Sequence, residues 1–414
     1  MTPSLYIALR FLSYRKRSFT LSLGGVVFGV AIFICTQAQT EGFANNFIRS
    51  TLGSNGALIL SSRFQAGSSG LLVGPRRSAD RSGAGHYRYF EGITNAPEIM
   101  RISRQFSNVA ACSPVLRGTL SARAGFHHST IDLFGIHAAL HLQTTNLAQQ
   151  LIGGSVDDFI NNPNALIIGS RLAQTLKVYV GDSVQLLSPG GDYRRFVVAG
   201  IARSGVGVVD AGRVYANMRV AQSLLRKPYS ASMIIYKLRD INRAPALARH
   251  FAALFQHQSI SWQEREEANL QLFLTLRISA AITVSLIILL AGFGIYNVLT
   301  MSVLSRVKEI AILRSMGYRR HDISAIFLWQ GASIAVAGSL IGCTAGALLT
   351  DLVSRIPIRV RGLIVADHFL VAWKWEHYAI AILLACIAVA IASYVPAQRA
   401  ARLPPVTTLR GSSA

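Results

Sequence analysis

Charge is what this chain has least of. Asp, Glu, Lys and Arg make up 14% of its 414 residues, against about a quarter in a soluble chain. Lysine is scarcest of the basic residues: the six are Lys16, Lys177, Lys227, Lys237, Lys308 and Lys374, and each follows a residue other than glycine. A Walker A loop needs a Gly-Lys step, because its lysine reaches the phosphates from a glycine-rich turn. The chain therefore does not bind ATP in the P-loop manner. Neither a Gly-x-Ser-x-Gly elbow nor a His-Glu-x-x-His motif occurs, which removes two common hydrolase chemistries. His137 and His141 are four apart, with His127 and His128 close by, but no supporting carboxylate pattern accompanies them, so no metal site is expected. The four cysteines, Cys35, Cys112, Cys343 and Cys386, are too dispersed for a disulfide framework, and stability must come from packing. No catalytic residue is assigned, and the chain reads as non-catalytic.

What is abundant is apolar. Hydrophobic residues form 51% of the chain, and the mean hydropathy is +0.39. They gather in four windows without Asp, Glu, Lys, Arg or His: 18–40, 278–305, 323–350 and 378–398. Each exceeds the roughly 20 residues that a helix needs to cross about 30 Å of hydrocarbon. The expected fold is an α-helical integral membrane protein with four transmembrane helices and a large α+β extracytoplasmic domain between the first and second. The first window, behind Arg15, Lys16 and Arg17, also fits a cleavable signal peptide; its length and the three later spans favour a retained helix. Ion-coupled transporters keep ionisable residues in their spans as relays, and these windows have none. Energy for any work would enter from outside the spans.

The net charge of +22 suits anionic headgroups or an acidic partner. Nucleic acid is set aside, because no aromatic-basic binding motif is present. Twelve basic residues lie in the N-terminal arm, the second-to-third connection and the tail, against four in the short 351–377 loop. By the positive-inside rule, both termini and the 306–322 segment are cytoplasmic and 41–277 lies outside. Residues 1–17 place Leu5, Leu9 and Leu12 on one side of a helix, read either as an interfacial helix or as the start of the first span. The tail is 399–414.

In the outer region, Phe43, Phe47 and Leu52 continue a helical face from the first span until Gly53, the expected stop; 57–60 then reads as a strand. A Gly/Ser/Arg-rich stretch follows over 61–86, with the composition of a loop. A compact module is expected over about 164–225: strands at 166–168, 184–187, 194–202 and 213–216, helices at 170–176 and 218–225, and a turn over 188–192. A further helix is expected over 243–255, and after Trp262 a polar helix, 263–269, runs into the second span as a stalk.

Between the second and third windows lies a short charged amphipathic segment. Val307, Ile310, Ala311 and Leu313 form an apolar stripe, Arg306, Lys308, Glu309 and Arg314 supply charges around it, and Gly317 ends the helix. Such an element suits either a groove on a partner or basic anchoring at headgroups. Within the spans, Gly25 with Gly29, and Gly338 with Gly342 and Gly346, repeat the Gly-x-x-x-Gly spacing that lets helix backbones approach closely. They serve packing within the chain or a subunit interface.

The string MSVLSRVKEIAILRSMG at 301–317 resembles the second-span and coupling-helix signature of the MacB/FtsX/LolCE permeases, the membrane subunits of mechanotransmitting ABC systems. Within that group, GVA at 29–31, EGF at 41–43, IGSRLA at 168–173, VGDSV at 180–184 and AGFGIYNVLTM at 291–301 are similar to the lipoprotein-releasing LolC/LolE type. The resemblance implies a bacterial inner-membrane subunit resting on a cytoplasmic ABC ATPase dimer, which binds the ATP and Mg, and paired with a second permease copy or a related one. Arg306, Lys308, Glu309, Ile310, Leu313, Arg314 and Gly317 would couple to the ATPase. Phe43, Phe47, Leu270 and Phe273 would line the mouth through which a lipidated or amphipathic client enters. Other outcomes for the family are MacB-like export and FtsX-like signalling to a cell-wall hydrolase. The chaperone-docking Lol permease carries a long hook-like hairpin where this sequence has only the 188–192 turn, so a periplasmic chaperone remains an open partner.

Overall fold

The computed structural model describes residues 16–62, 92–93, 95–228, 230–357 and 368–402. The helix expected over 1–17, the stretch over 61–86 and the tail over 399–414 fall largely outside them. Of these described residues, 16–45, 271–357 and 368–402 belong to one compact unit, and those between 46 and 270 to another.

The first unit is built from α1 (Lys16–Asn55), α2 (Glu267–Ser305), α3 (Val307–Ser315), α4 (Arg320–Ser354) and α5 (Trp375–Arg402). All except α3 are long and apolar enough to cross a membrane. Small residues let them meet. A Cβ on Gly25 would stand 3.2 Å from that of Ala291, and one on Gly29 would stand 2.9 Å from Ile288, so this face of α1 lies on α2. Gly338, Gly342 and Gly346 present the same absence of side chain to Val26, Val30 and Ile34, so α4 lies on another face of α1. Both glycine runs are thus occupied inside the chain. Hydrocarbon gives helices no hydrophobic reason to associate, and van der Waals contact between close backbones takes its place. A Gly342→Val side chain would start 2.8 Å from Val30 Cβ, and overpacking of this kind costs about 2 kcal/mol. Thermal melting of the detergent-solubilised chain is expected to fall accordingly, while Gly294→Val, whose Cβ would meet nothing within 4 Å, leaves it unchanged.

In the second unit, α1 ends later than the sequence indicates. Gly53 is helical; its bare Cα admits Asn146, which a Cβ would approach to 3.3 Å. The turn comes at Gly56, with φ +66°. Among its described residues the unit holds ten strands: β1 (Leu58–Ser61), β2 (Val109–Ala124), β3 (His127–Ile136), β4 (Leu151–Gly154), β5 (Ala165–Gly169), β6 (Ser183–Leu187), β7 (Tyr193–Ala202), β8 (Arg213–Asn217), β9 (Met233–Leu238) and β10 (Gln258–Ser261). They form one sheet in the order β10-β1-β9-β2-β3-β8-β5-β7-β4, with β6 paired to β2 and β7. Only β3 with β8 and β5 with β7 run parallel among these pairs.

The expected module over 164–225 does not close on itself. Its core of Leu166, Ile168, Leu172, Val184, Phe196, Val214 and Leu224 is completed by Leu116 and Leu120 of β2 and Ile131 and Leu133 of β3. β2 runs from that core into a second one, where Val109 and Cys112 pack with Leu58, Leu60, Tyr236, Phe251 and Trp262. One long strand therefore ties the two cores together. The helix over 243–255 is present as Ala244–Phe255. The polar stalk is interrupted, a turn of helix at Trp262–Arg265 preceding α2.

Candidate functional site

The segment between the second and third membrane helices folds as α3, and its ends are set by identifiable bonds. Arg306 pairs with Glu309 at 2.9 Å in the first turn. At the other end Gly317 takes φ +100°, its N–H donates to the Arg314 carbonyl at 3.2 Å, and the Tyr318 N–H reaches back to the Leu313 carbonyl at 3.2 Å. This is the Schellman closure, which requires a left-handed residue where glycine stands. The Arg319 N–H then donates to Asp322 at 2.9 Å to open α4.

The apolar stripe of α3 faces the chain itself, contrary to its expected use as a docking surface. Ile310 is 1% exposed and Ala311 is buried; Ile310 packs with Val303, Ile323, Phe327 and Ala400, and Leu313 and Tyr318 lie against that cluster. What α3 offers outward is Lys308 and Glu309, together with Ile312, 50% exposed, and Met316, 74% exposed. Ile310 and Leu313 therefore anchor the helix to α2, α4 and α5, and a partner would meet Lys308, Glu309, Ile312 and Met316. The sequence reading missed the last two. Their spacing of four puts them on one helix face, a signal hidden beside the stronger apolar stripe.

The residues expected to line a client mouth are not equivalent. Phe47 is 2% exposed, too buried to line anything. Leu270 packs against the core that holds Trp262 and Phe251. Phe273 is half-buried, and Phe43 sits edge-on to Phe369, ring centroids 6.2 Å apart. The exposed apolar side chains here are Leu272, Leu274 and Leu276 of α2.

Beside Phe43 the chain over 368–377 straps α1. The Ala372 N–H donates to the Ala38 carbonyl at 2.8 Å, and at Gly42 the strap lies so close that any Cβ would strike the Leu370 carbonyl. Glu41, the first acid after the apolar window, is buried. Its carboxylate pairs with Lys374 and lies 2.7 Å from His377 Nε2. A buried carboxylate needs such partners, since desolvating an unpaired charge is prohibitive. The pairing with Glu41 raises the Lys374 ammonium above its ordinary range.

A family model described as MacB-like periplasmic core domain matches residues 19–254, more than half of the chain, and the FtsX-like permease C-terminal model matches 281–405. The chain belongs to the MacB/FtsX-like permease family. It is 27% identical to the lipoprotein-releasing system transmembrane protein LolC of Xylella fastidiosa, over 98% of both chains. Identity to LolC of Neisseria meningitidis is 25%, again over 98% of both. The macrolide export ATP-binding/permease protein MacB of Pasteurella multocida is 31% identical over 33% of this chain and 19% of that protein. The four long helices and α3 are thus the frame of an ABC transporter permease of the LolC/MacB/FtsX type.

In this MacB/FtsX-like permease His137 and His141 lie in different surroundings. His137 stands at the start of the helix Ala138–Thr144 and lines an open cleft of about 660 Å³ with Arg219 and Arg226. His141, inside that helix, is fully buried, 3.4 Å from Ser113 Oγ. Among the described residues no three His, Cys, Asp or Glu side chains are grouped to hold a metal.

Proposed function

We propose that this permease converts ATP hydrolysis by a separate cytoplasmic ABC ATPase dimer into the extraction of a lipidated client from the outer leaflet of the bacterial inner membrane, with lipoprotein release as the leading case. The observation that carries the reading is the similarity to LolC proteins over 98% of both chains, joined to a charged helix, α3, wedged between two membrane helices. The α3 face of Lys308, Glu309, Ile312 and Met316 meets the ATPase, with Arg306 holding Glu309 in place. The basic segments set both termini and α3 on the cytoplasmic side and the sheet unit in the periplasm. A second permease copy or a related permease completes the complex. ATP and Mg stay with the ATPase, and a periplasmic chaperone is an open partner.

Glu309→Lys reverses the charge at the proposed contact and is expected to reduce client-stimulated ATP hydrolysis of the reconstituted complex at least tenfold. Retention of the wild-type stimulation rejects the α3 contact. Photocrosslinkers at Leu272 and Leu276 are expected to capture a lipidated protein. Capture of only a peptidoglycan hydrolase turns the reading to FtsX-like signalling, and capture of only a small amphipathic molecule turns it to MacB-like export.

A further inference from the structure

Where α1 runs into β1, inside the second unit, the chain combines a swivel with a clamp. Gly56 is the left-handed residue between the helix and β1, and a side chain there would strike Ile235 and the Tyr236 carbonyl, so no bulkier residue can stiffen the turn. By itself such a glycine is a hinge, free to absorb a tilt of the helix in its own φ and ψ. The chain around it is nevertheless gripped. Arg213, the first residue of β8, donates to the Ser54 carbonyl at 3.3 Å and to Asn55 Oδ1 at 2.8 Å. Its guanidinium is fixed 4.2 Å above the Phe134 ring and lies 3.4 Å from the Tyr215 hydroxyl. Arg265, on the helical turn just before α2, donates to the Gly56 carbonyl at 3.3 Å and pairs with Glu266 at 3.3 Å.

The grip is made at a cost. The Arg265 guanidinium is desolvated, which pulls its pKa down, and the nearby Arg213 cation adds to that. Its Nη1 is buried with no hydrogen-bond partner. Two like charges converging on one helix end, one of them incompletely satisfied, are a poor choice for stability alone. They suit a joint that must stay stiff. Helix C-termini expose carbonyls that favour cations, and the planar guanidinium fork fixes direction as an ammonium cannot.

We propose that Arg213 and Arg265 are positioning residues that lock the Gly56 swivel, so that a displacement of α1 or α2 is delivered to β1, β8 and β10 and not dissipated in the turn. This rests on the reading of the chain as an ATPase-driven permease. The clamp touches no client and no nucleotide.

The test uses the full chain with its ATPase subunits in nanodiscs, with spin labels on unnatural residues at the exposed positions Phe126, in the sheet unit, and Leu348, on α4. In the wild type, a non-hydrolysable ATP analogue is expected to shift the distance distribution. In the Arg213→Met, Arg265→Met double variant, at least half of that shift is expected to vanish, while ATP hydrolysis stays within twofold and amide exchange slows as usual in β2 and β3 but quickens about tenfold at Gly56 and Ala57. A double variant that shifts as the wild type does overturns the clamp. A wild type that does not respond to the analogue overturns the permease reading and the clamp with it. Should the double variant lose protection in β2 and β3, Arg213→Lys decides in its place: it keeps the cation and loses the fork, and a full shift in it overturns the proposal.

Discussion

Acidifying the full chain from pH 6.5 to pH 3 is expected to strip the sheet unit of stability of the order of 4 kcal/mol, through His141. Burial, with the Arg213 cation as a second cause, lowers the pKa of its imidazole to about 3, against about 6.5 for a free histidine. Between those values the unfolded chain takes up the proton and the folded chain refuses it. Stability from this group is therefore complete above pH 6.5 and is lost as pH falls towards 3. His137 and His257, also lowered by desolvation, act in the same direction. Asp210 opposes them, because burial raises its carboxyl and makes the folded form the better proton acceptor. Pulse proteolysis of the full chain in urea at pH 7 and pH 4 measures the difference. His141→Gln removes the titration and should flatten most of the slope; an unchanged slope would assign the acid sensitivity elsewhere.

Glu41→Ala is expected to destabilise the membrane unit by about 3 kcal/mol, the scale for removing one partner of a buried ion pair. The substitution leaves buried His377 with neither ring nitrogen partnered among the described residues, since Nδ1 already has no partner there and Nε2 is held by Glu41. The strap over 368–377 would then depend on the Ala372 to Ala38 bond and the Phe43 to Phe369 contact. Lys374→Met is the contrast. The Lys374 side chain is 44% exposed, and exposed ion pairs contribute about 1 kcal/mol or less. Thermal melting in detergent, with protease cleavage within the strap as a local readout, separates the two; equal losses would mean that the burial of Glu41 is not what matters.

The sequence showed the membrane frame plainly because hydrocarbon imposes a coarse rule. Long windows without charge have few other uses, and the string at 301–317 falls between two of them. The short elements around 165–217 were also legible, since Ile167 and Val198 sit in regular strand patterns. β2 and β3 were not. Pro114 and Gly118 interrupt β2, and the paired histidines at 127 and 128 disguise the start of β3. Gly118 is explained by packing, not by a turn: a Cβ there would run into Leu225, which no local pattern reveals. The stop of α1 was misplaced for the same reason, Gly53 being small to admit Asn146. At α3 the apolar stripe is plain in the sequence, but a stripe does not say which surface it covers. The chain's own helices took Ile310, and the outward face fell to residues of weaker pattern.

β1 pairs with β10 antiparallel. Leu58 lies opposite Ser261 and Ile59 opposite Ile260, so the chain leaves α1 and returns to α2 through neighbouring strands, which lie about 5 Å apart. Everything between is a cassette with its two leads side by side. Such a cassette can be lengthened, trimmed or exchanged for another sheet without altering the gap its leads must bridge. A framework of this kind can change its sheet while keeping its helices.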